Sequence, residues 1–201
     1  MAKIPRLALA ALVGFIANVG DATVVSDNFG TLTPGEWQSL QDRVQQQRTD
    51  VITTAAADQE QLLKSTSRPI AANAPHMEVL LGQMRKAMLA HEGTGLTAVQ
   101  IGIPVRVVLM QRTINGSRLF HSFINPEIIR ISPSKASYRE RCLSLANGHG
   151  HMTERAVYLT LRYQKTDGHT AIETFTGLDA AVMQQEIDHL NGILLTDHHP
   201  H

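Results

Sequence analysis

The chain lacks several features that would assign it to a specialised class. Among its 201 residues the only cysteine is Cys142, so no intrachain disulfide can form and the thiol stays available as a metal ligand or nucleophile. Eighteen basic side chains balance eighteen acidic ones, and without a basic surplus we expect no nucleic-acid partner. Repeats of fixed period and low-complexity tracts are also missing. A chain of this length fits one ordinary domain plus an extension.

Long apolar runs are missing too, apart from one stretch at the N-terminus. Two basic side chains precede residues 7–20, which are almost wholly apolar, and Gly20 and Ala22 offer small side chains at a cleavage site. This three-part layout is typical of a secretory signal peptide covering residues 1–22. The run is too short for an ordinary membrane span, so a cleaved leader would leave no stable span. The alternative is an apolar helix that is retained and packs on the domain. We expect export to the periplasm or medium in the first case and a cytoplasmic protein in the second.

The rest of the chain divides into a short polar segment and one α+β domain. Residues 23–49 form a linker or a short helix over 34–48, and residues 50–201 form the domain. Periodic apolar side chains predict a helix over 77–91, which Gly93 and Gly95 end. Turn dipeptides predict two hairpins and a final helix. The hairpin strands are 105–111 with 118–124 around Asn115-Gly116, and 157–164 with 170–176 around Asp167-Gly168; the helix is 180–190, with Asp179 as N-cap and Asn191-Gly192 as its end.

The final helix carries three different stripes of side chains. Residues three and four apart lie on one helix face, so the apolar stripe should enter the core. A polar stripe of Gln184, Asp188 and Asn191 supplies the solvent face, opposite the apolar Met183, Ile187 and Leu190. A second polar stripe consists of Gln185, Glu186 and His189. Because one solvent face is already supplied, this second polar stripe indicates a buried polar site.

The same stripe is one residue short of a known metal motif. In His-Glu-x-x-His, two histidines hold a metal and the glutamate acts as general base. Here Gln185 takes the place of the first histidine, while Glu186 and His189 remain. The central question is whether Gln185, His189 and Cys142 together hold a metal. On its own, a Glu-x-x-His pair on a helix is more often a surface pair.

Three segments in this order resemble the peptide deformylase family. Residues 93–100 read Gly-Thr-Gly-Leu-Thr-Ala-Val-Gln, residues 140–144 read Glu-Arg-Cys-Leu-Ser, and residues 185–189 read Gln-Glu-Ile-Asp-His. The family carries Gly-x-Gly-Leu-Ala-Ala-x-Gln, Glu-Gly-Cys-Leu-Ser and His-Glu-x-Asp-His at the corresponding places. The similarity continues through residues 190–194 and spans roughly residues 50–198.

The resemblance implies a fold, an activity and a cofactor. The fold is α+β, with antiparallel sheets around a central helix that carries the third motif. The activity is hydrolytic removal of the formyl group from N-formylmethionyl peptides by one divalent metal, usually Fe(II), which zinc, nickel or cobalt can replace. By this resemblance Cys142 is the thiolate ligand, His189 an imidazole ligand, and Gln185 stands where the family has its other histidine.

The resemblance also assigns roles to residues that do not bind the metal. Glu186 takes a proton from the attacking water and later gives it to the leaving amine. Gln100 and the backbone N–H of Leu143 donate to the oxyanion that develops on the formyl oxygen. The backbone of Gly95 lines the same site.

The chain departs from the family pattern at three positions: Gln185 replaces a histidine, Arg141 replaces a glycine, and Thr97 replaces an alanine. An amide oxygen is a harder ligand than imidazole, so affinity for borderline metals should fall. Arg141 restricts the backbone and fills space beside the cysteine. Two functions therefore remain: a divergent metal-dependent deformylase, or a deformylase-like peptide-binding protein that keeps the cavity without efficient chemistry.

The leader gives the first testable prediction. If residues 1–22 are a signal peptide, mature protein from the native host should begin near Thr23, because the small residues before it fit a signal peptidase. N-terminal sequencing of the purified protein measures this. Abundant soluble protein that starts at Met1 or Ala2 would rule out export.

Overall fold

The computed structural model describes residues 29–146 and 148–198. The segment 1–22, predicted as a signal peptide, lies outside the described residues. The helices are α1 (Pro34–Gln45), α2 (Ala57–Leu63), α3 (Met77–Ala90) and α4 (Gly177–Leu190). The strands are β1 (Gly95–Thr97), β2 (Val107–Ile114), β3 (Ser117–Ile131), β4 (Lys135–Glu140), β5 (His151–Ala156), β6 (Tyr158–Gln164) and β7 (Thr170–Thr176). Short 3₁₀ turns cover Ala98–Ile101 and Leu195–Asp197.

The strands form two antiparallel sheets. The larger has five strands in the order β1-β2-β3-β6-β7, and β4 pairs with β5 in a separate two-stranded sheet. Both predicted hairpins are confirmed, β2–β3 around Asn115-Gly116 and β6–β7 around Asp167-Gly168. Asn115 and Gly116 both have positive φ, which suits the twist of a two-residue hairpin turn. The α+β class with antiparallel sheets is likewise confirmed.

Helices cover both faces of the large sheet, with α3 on one face and α4 on the other. Alternate residues of a strand point to opposite faces. In β2, Val107 and Leu109 belong to the core that includes α3, whereas Val108 and Met110 belong to the core that includes α4. This explains why the first half of β2 is a continuous buried run. The α4 side of the sheet also packs the aromatic rings of β3, β6 and β7 against the apolar stripe of α4: Phe123, Tyr163, Phe175, Met183, Ile187 and Leu190.

The helix α1 occupies part of the segment predicted as a linker or short helix. It begins after Thr33, which forms a capping box with Glu36 and so satisfies exposed backbone N–H groups. Leu40 is fully buried in the α3 core, and the ring of Trp37 stacks on His76 at 3.6 Å between centroids. Helix α1 therefore packs onto the same body as the sheet.

Several elements differ from the sequence prediction. The β4–β5 hairpin was not predicted, because Lys135–Glu140 has an exposed, polar outer face and lacks a run of apolar residues. The short helix α2 was not predicted either. Helix α4 begins at Gly177, not at 180, with Thr176 in the N-cap position. Asp179 is therefore inside the first turn, where its carboxylate accepts from Arg112 Nε at 3.0 Å.

Gln184 was wrongly placed on a solvent face. Its side chain is buried, and its amide bonds both backbone groups of Ala156 at 3.0 Å each. The amide thereby satisfies the last residue of β5 where α4 crosses it. The error arose because the small sheet that covers this face of α4 was not predicted. Asp188, on the same stripe, is also partly buried, and its carboxylate accepts a hydrogen bond from Arg155 Nη1 at 2.6 Å.

Both α3 and α4 are followed by a residue whose backbone is in the left-handed region. The residue with positive φ after α3 is Glu92 and not a glycine, whereas Gly192 has φ 75° after α4. A Cβ on Gly192 would lie 2.3 Å from the carbonyl oxygen of Lys64, so α4 ends in close contact with the backbone after α2. No helix within the described ranges is long and apolar enough to cross a membrane.

We predict that Gly192→Ala destabilises the protein by more than about 2 kcal/mol, because strain at positive φ adds to a clash with backbone. The matched control is Gly168→Ala, which has φ 85° but no atom within 4 Å of its Cβ position, so only strain applies, at roughly 1 kcal/mol. Urea unfolding of the three proteins measures the difference. Equal losses for both variants would show that α4 can shift away from Lys64 without cost.

Candidate functional site

The second polar stripe of α4 is buried, as the pattern indicated. The exposed fractions of Gln185, Glu186 and His189 are 9%, 3% and 1%. Helical spacing puts these three side chains on the face that α4 turns toward β1, the small sheet and the turn after β4. A buried polar face is costly unless its groups find partners, so their contacts define the site.

The cysteine and the histidine of the predicted metal site meet directly. Cys142 Sγ lies 3.0 Å from His189 Nε2, and both residues are almost fully buried. Cys142 follows the end of β4, and its neighbours Leu145 and Leu195 close an apolar wall behind the sulfur. The structure thus brings together two groups that are 47 residues apart in the chain.

Burial sets the protonation of this pair in the metal-free protein. It raises the pKa of the Cys142 thiol to about 12 and lowers the pKa of the His189 imidazole to about 4. Near neutral pH the thiol is therefore protonated and donates to the neutral ring. Thiolate coordination of a metal must release that proton. Nδ1 of His189 is buried, with no hydrogen-bond partner in the described part of the chain.

Gln185 is held by a buried network beside this pair. Its Nε2 donates to Glu140 Oε2 at 3.0 Å. The Glu140 carboxylate also accepts two hydrogen bonds from Arg155, at 2.7 and 3.0 Å, and Arg155 donates further to Asp188. A carboxylate only accepts hydrogen bonds, so the nitrogen of the Gln185 amide faces Glu140 and its oxygen faces away. The oxygen is the atom with which an amide binds a metal.

Glu186 lies against the first residue of β1. A Cβ on Gly95 would be 2.4 Å from Glu186 Oε1, so only glycine admits the carboxyl at this point. Glu186 Oε2 is buried and has no partner among the described residues. Burial, then the charges of Glu140 and Asp188, raise the pKa of the Glu186 carboxyl to about 8. Such a group suits proton transfer near neutral pH.

Gln100 and Leu143 reach the same region from two different loops. Thr97 donates to Gln100 Oε1 through its backbone N–H at 2.8 Å and its hydroxyl at 3.1 Å. This contact leaves Nε2 as the free end of the Gln100 amide. One of its hydrogens reaches Ser144 Oγ at 3.2 Å, and the other is left to donate. The backbone N–H of Leu143 makes no hydrogen bond within residues 29–146 and 148–198.

A cavity of about 490 Å³ opens onto these groups. Its lining includes five of the predicted site residues: Gly95, Gln100, Leu143, Gln185 and Glu186. One wall is apolar and comes from α4, with Leu178, Ala181 and Val182. Another part of the lining comes from residues 138–141, at the end of β4. This volume is in the range that holds a small ligand.

The donor set fits one metal ion, but its third ligand is weak. Cys142 Sγ and His189 Nε2 converge, and the amide oxygen of Gln185 is not used by Glu140. The unpartnered Glu186 carboxyl oxygen lies in the same buried region. In the described ranges, however, no three His, Cys, Asp or Glu side chains are grouped so as to hold a metal. Any ion here therefore depends on two strong ligands and one amide.

Sequence reasoning missed the residues that support the site. Glu140 was noted only as part of a motif, and Arg155 was not singled out, although it joins β5 to the β4 end and α4. Only the placement of Glu140 two residues before the cysteine hinted at this role. Arg155 gave no signal, because a charged residue in an unpredicted strand reads as solvent-exposed.

Comparison with known proteins identifies what the chain is similar to. The sequence model of the family described as "Polypeptide deformylase" matches residues 52–201. A peptide deformylase of Caulobacter vibrioides is 37% identical over 149 residues, which cover 74% of this chain and 86% of that protein. One from Rhodopseudomonas palustris is 40% identical over 139 residues, covering 68% and 77%.

Solved structures give the same similarity. A probable peptide deformylase from Synechococcus phage S-SSM7 superposes with a TM-score of 0.68 at 32% identity, covering 75% of this chain and 99% of that one. The Acinetobacter baumannii class I type b enzyme bound to Met-Ala-Ser gives a TM-score of 0.66 at 28% identity, covering 74% and 96%. The resemblance read from the three motifs is therefore confirmed.

The weak third ligand gives a prediction. Gln185→His should tighten metal binding, because imidazole is a better donor than an amide for iron, nickel or zinc. One ring nitrogen can keep the contact with Glu140 while the other faces the ion. Loss of a hydrogen-bond partner of a metal ligand typically lowers metal affinity by roughly 10–100-fold. Because position 185 would bind the metal directly, the affinity of Gln185→His should rise by at least this factor. Competition titration with Co(II) or Zn(II) under anaerobic conditions measures it.

The control for this variant is Gln61→His, which adds a histidine on the exposed face of α2. It should leave the affinity unchanged. If Gln185→His binds metal no better than the parent, position 185 does not contribute a ligand.

Proposed function

The chain belongs to the polypeptide deformylase family, and we propose that it removes the formyl group from N-formylmethionyl peptides with one divalent metal held by Cys142, His189 and Gln185. The contact between Cys142 Sγ and His189 Nε2 beside the unpartnered Glu186 carboxyl carries this proposal. The family is metal-dependent. When bound, the metal supplies the Lewis acidity that makes water a competent nucleophile near neutral pH.

The cavity suits a methionyl peptide. The apolar wall of Leu178, Ala181 and Val182 offers a surface for an unbranched apolar side chain, and buried polar groups lie at the inner end. In the described ranges β4 pairs only with β5, so its other edge has free backbone groups beside the cavity. An extended peptide can add to such an edge. The Met-Ala-Ser tripeptide bound by the Acinetobacter baumannii enzyme supports the same class of ligand.

Glu186 is the proton carrier in the proposed reaction. Its Oε2 accepts a proton from the attacking water and returns it to the amine of methionine as the C–N bond breaks. The close approach of Gly95 fixes the other carboxyl oxygen, and the low exposure of Glu186 keeps bulk water away. Both conditions favour transfer to the substrate over loss to solvent.

Gln100 and Leu143 stabilise the developing oxyanion. Thr97 fixes the Gln100 amide so that Nε2 is directed out of its loop, and the Leu143 N–H has no competing acceptor in the described part of the chain. Donors that are oriented before the reaction cost no reorganisation when negative charge develops. They thereby lower the barrier to attack on the formyl carbon.

Fe(II) is our proposed physiological metal, with zinc, nickel or cobalt as replacements. An amide oxygen in place of an imidazole makes the ligand set harder. We expect the shift to weaken binding of zinc more than binding of iron. Metal analysis of anaerobically purified protein tests this choice.

A second candidate function is supported by the same weak donor set. Because no three His, Cys, Asp or Glu side chains in the described ranges are grouped around the site, a peptide-binding protein with little turnover also fits the cavity. Metal content separates the two functions when it is paired with turnover of a formyl-Met peptide. A metal-loaded protein without turnover would favour the binding protein. If the leader is cleaved, formylated peptides outside the cytosol are the available ligands.

Glu186→Gln provides the direct test of catalysis. The amide cannot accept the proton of water, so turnover should fall about 10²–10⁴-fold, the usual contribution of a general base. Release of formate from a formyl-Met peptide measures turnover, and elemental analysis shows whether the metal is retained. Gln185→His serves as the companion variant, since it alters the ligand and keeps the base. Undiminished turnover in metal-loaded Glu186→Gln would exclude the proposed role.

A further inference from the structure

Two arginines line the outer part of the cavity without a partner. Arg139 and Arg141 are both exposed and both belong to its lining. Neither makes a hydrogen bond or an ion pair within the described residues, in contrast to Arg155 beneath them. Arg141 stands where the family pattern has glycine, so this charge is a departure from that pattern.

The carboxylates of the cavity do not neutralise these two cations. Glu140 is tied to Arg155 and Gln185, and Glu186 is buried at the inner end. Only Glu92 remains as an exposed carboxylate in the lining. The outer wall therefore carries an excess of positive charge, although the chain as a whole is neutral. A surplus confined to one wall favours an anionic group of the ligand.

The arginines also lie where the ligand beyond methionine must pass. Arg141 immediately precedes Cys142, and Arg139 is two positions farther along β4, roughly 7 Å for an extended chain. The Arg139 side chain packs against Gly150, where a Cβ would lie 3.0 Å from its Nε. A peptide whose formyl group is at Glu186 and whose backbone follows the free edge of β4 meets Arg141 first and Arg139 second.

We propose that Arg139 and Arg141 select formyl peptides that carry a carboxylate one or two residues beyond methionine. This inference rests on the proposed function. A guanidinium binds a carboxylate with two parallel N–H···O hydrogen bonds, which gives it direction as well as charge. The carboxylate can be the C-terminus of a short peptide or an acidic side chain. The selection depends on where the peptide's carboxylate lies along β4, and not on the overall charge of the peptide.

Two pairs of substrates test the selection on the full-length, metal-loaded protein. The first pair is formyl-Met-Ala-Ser as free acid and as C-terminal amide, and the second is formyl-Met-Asp-Ser amide and formyl-Met-Asn-Ser amide. We expect kcat/KM to favour the carboxylate member about two- to fivefold for each arginine engaged, the size of an exposed ion pair. The difference should lie in KM, and it should vanish in about 1 M salt, where the Debye length is about 3 Å.

The variants separate the two arginines from charge in general. The double variant Arg139→Gln with Arg141→Gln should bring each ratio close to one, and Arg141→Lys should retain part of the preference. Arg130→Gln removes one positive charge from the exposed face of β3, away from the cavity lining, and should leave the ratios unchanged. Calorimetric affinities of Met-Ala-Ser acid and amide repeat the comparison without turnover.

The outcomes distinguish failure of the proposed selection from failure of the proposed deformylase activity. A preference in the first pair supports a terminal carboxylate, and one in the second pair supports an acidic side chain. Turnover with ratios near one in both pairs, and equal product affinities, would overturn the inference and leave the deformylase function standing. If no peptide is deformylated but the acid product binds more tightly than the amide and the double variant loses this difference, the selection stands and the proposed activity fails.

Discussion

The site depends on one buried guanidinium. Arg155 joins three separate segments, because its side chain on β5 binds Glu140 at the end of β4 and Asp188 on α4. The Arg155 side chain is 4% exposed and that of Glu140 8%, so removal of either partner would leave an uncompensated charge in the interior. Such a loss typically costs about 3–5 kcal/mol. The network therefore fixes how the small sheet sits against α4, and with it the wall that carries Cys142.

Gln185 takes its meaning from the same network. Both oxygens of Glu140 accept from Arg155, and the lone pairs that remain leave room for a further donor. The amide nitrogen of Gln185 is such a donor, at 3.0 Å from Oε2. The hydrogen bond orients the amide so that its oxygen is free. A histidine at this place could also donate to Glu140 and keep its other nitrogen free. In the site we propose, Gln185 thus keeps a contact with Glu140 that a histidine could also make, and it changes the strength and hardness of the metal ligand.

The charge on the outer wall connects the site with the kind of peptide that it meets. A general deformylase must accept many sequences beyond methionine, whereas Arg139 and Arg141, which have no partner among the described residues, would favour a nearby carboxylate under our proposal. Short peptides present a terminal carboxylate close to methionine, and long nascent chains do not. In the function we propose, Arg141 would thus narrow the substrate range, while Glu186 and Gln100 would take part in the chemistry. The proposed specificity and the proposed catalysis thus use different parts of the lining of one cavity.

The sequence by itself determined the strongly patterned elements and the identity of the chemistry. Apolar periodicity located α3 and most of α4, and the Asn-Gly and Asp-Gly turns located both hairpins of the large sheet, because these signals arise from local backbone and burial preferences. Three short motifs were enough to identify Cys142, Glu186 and His189 as belonging together. Their spacing could not say how close they lie.

Tertiary structure decided whatever depends on contacts between distant segments. The polar β4–β5 hairpin has no local apolar pattern, so its position over α4 could not be read, and Gln184 was consequently placed in solvent and not against Ala156. The orientation of the Gln185 amide, the role of Arg155 and the accumulation of Arg139 and Arg141 on one cavity wall have the same origin. Each results from side chains that meet only after the small sheet packs against α4, since burial and pairing, not residue type, determine what a polar group does.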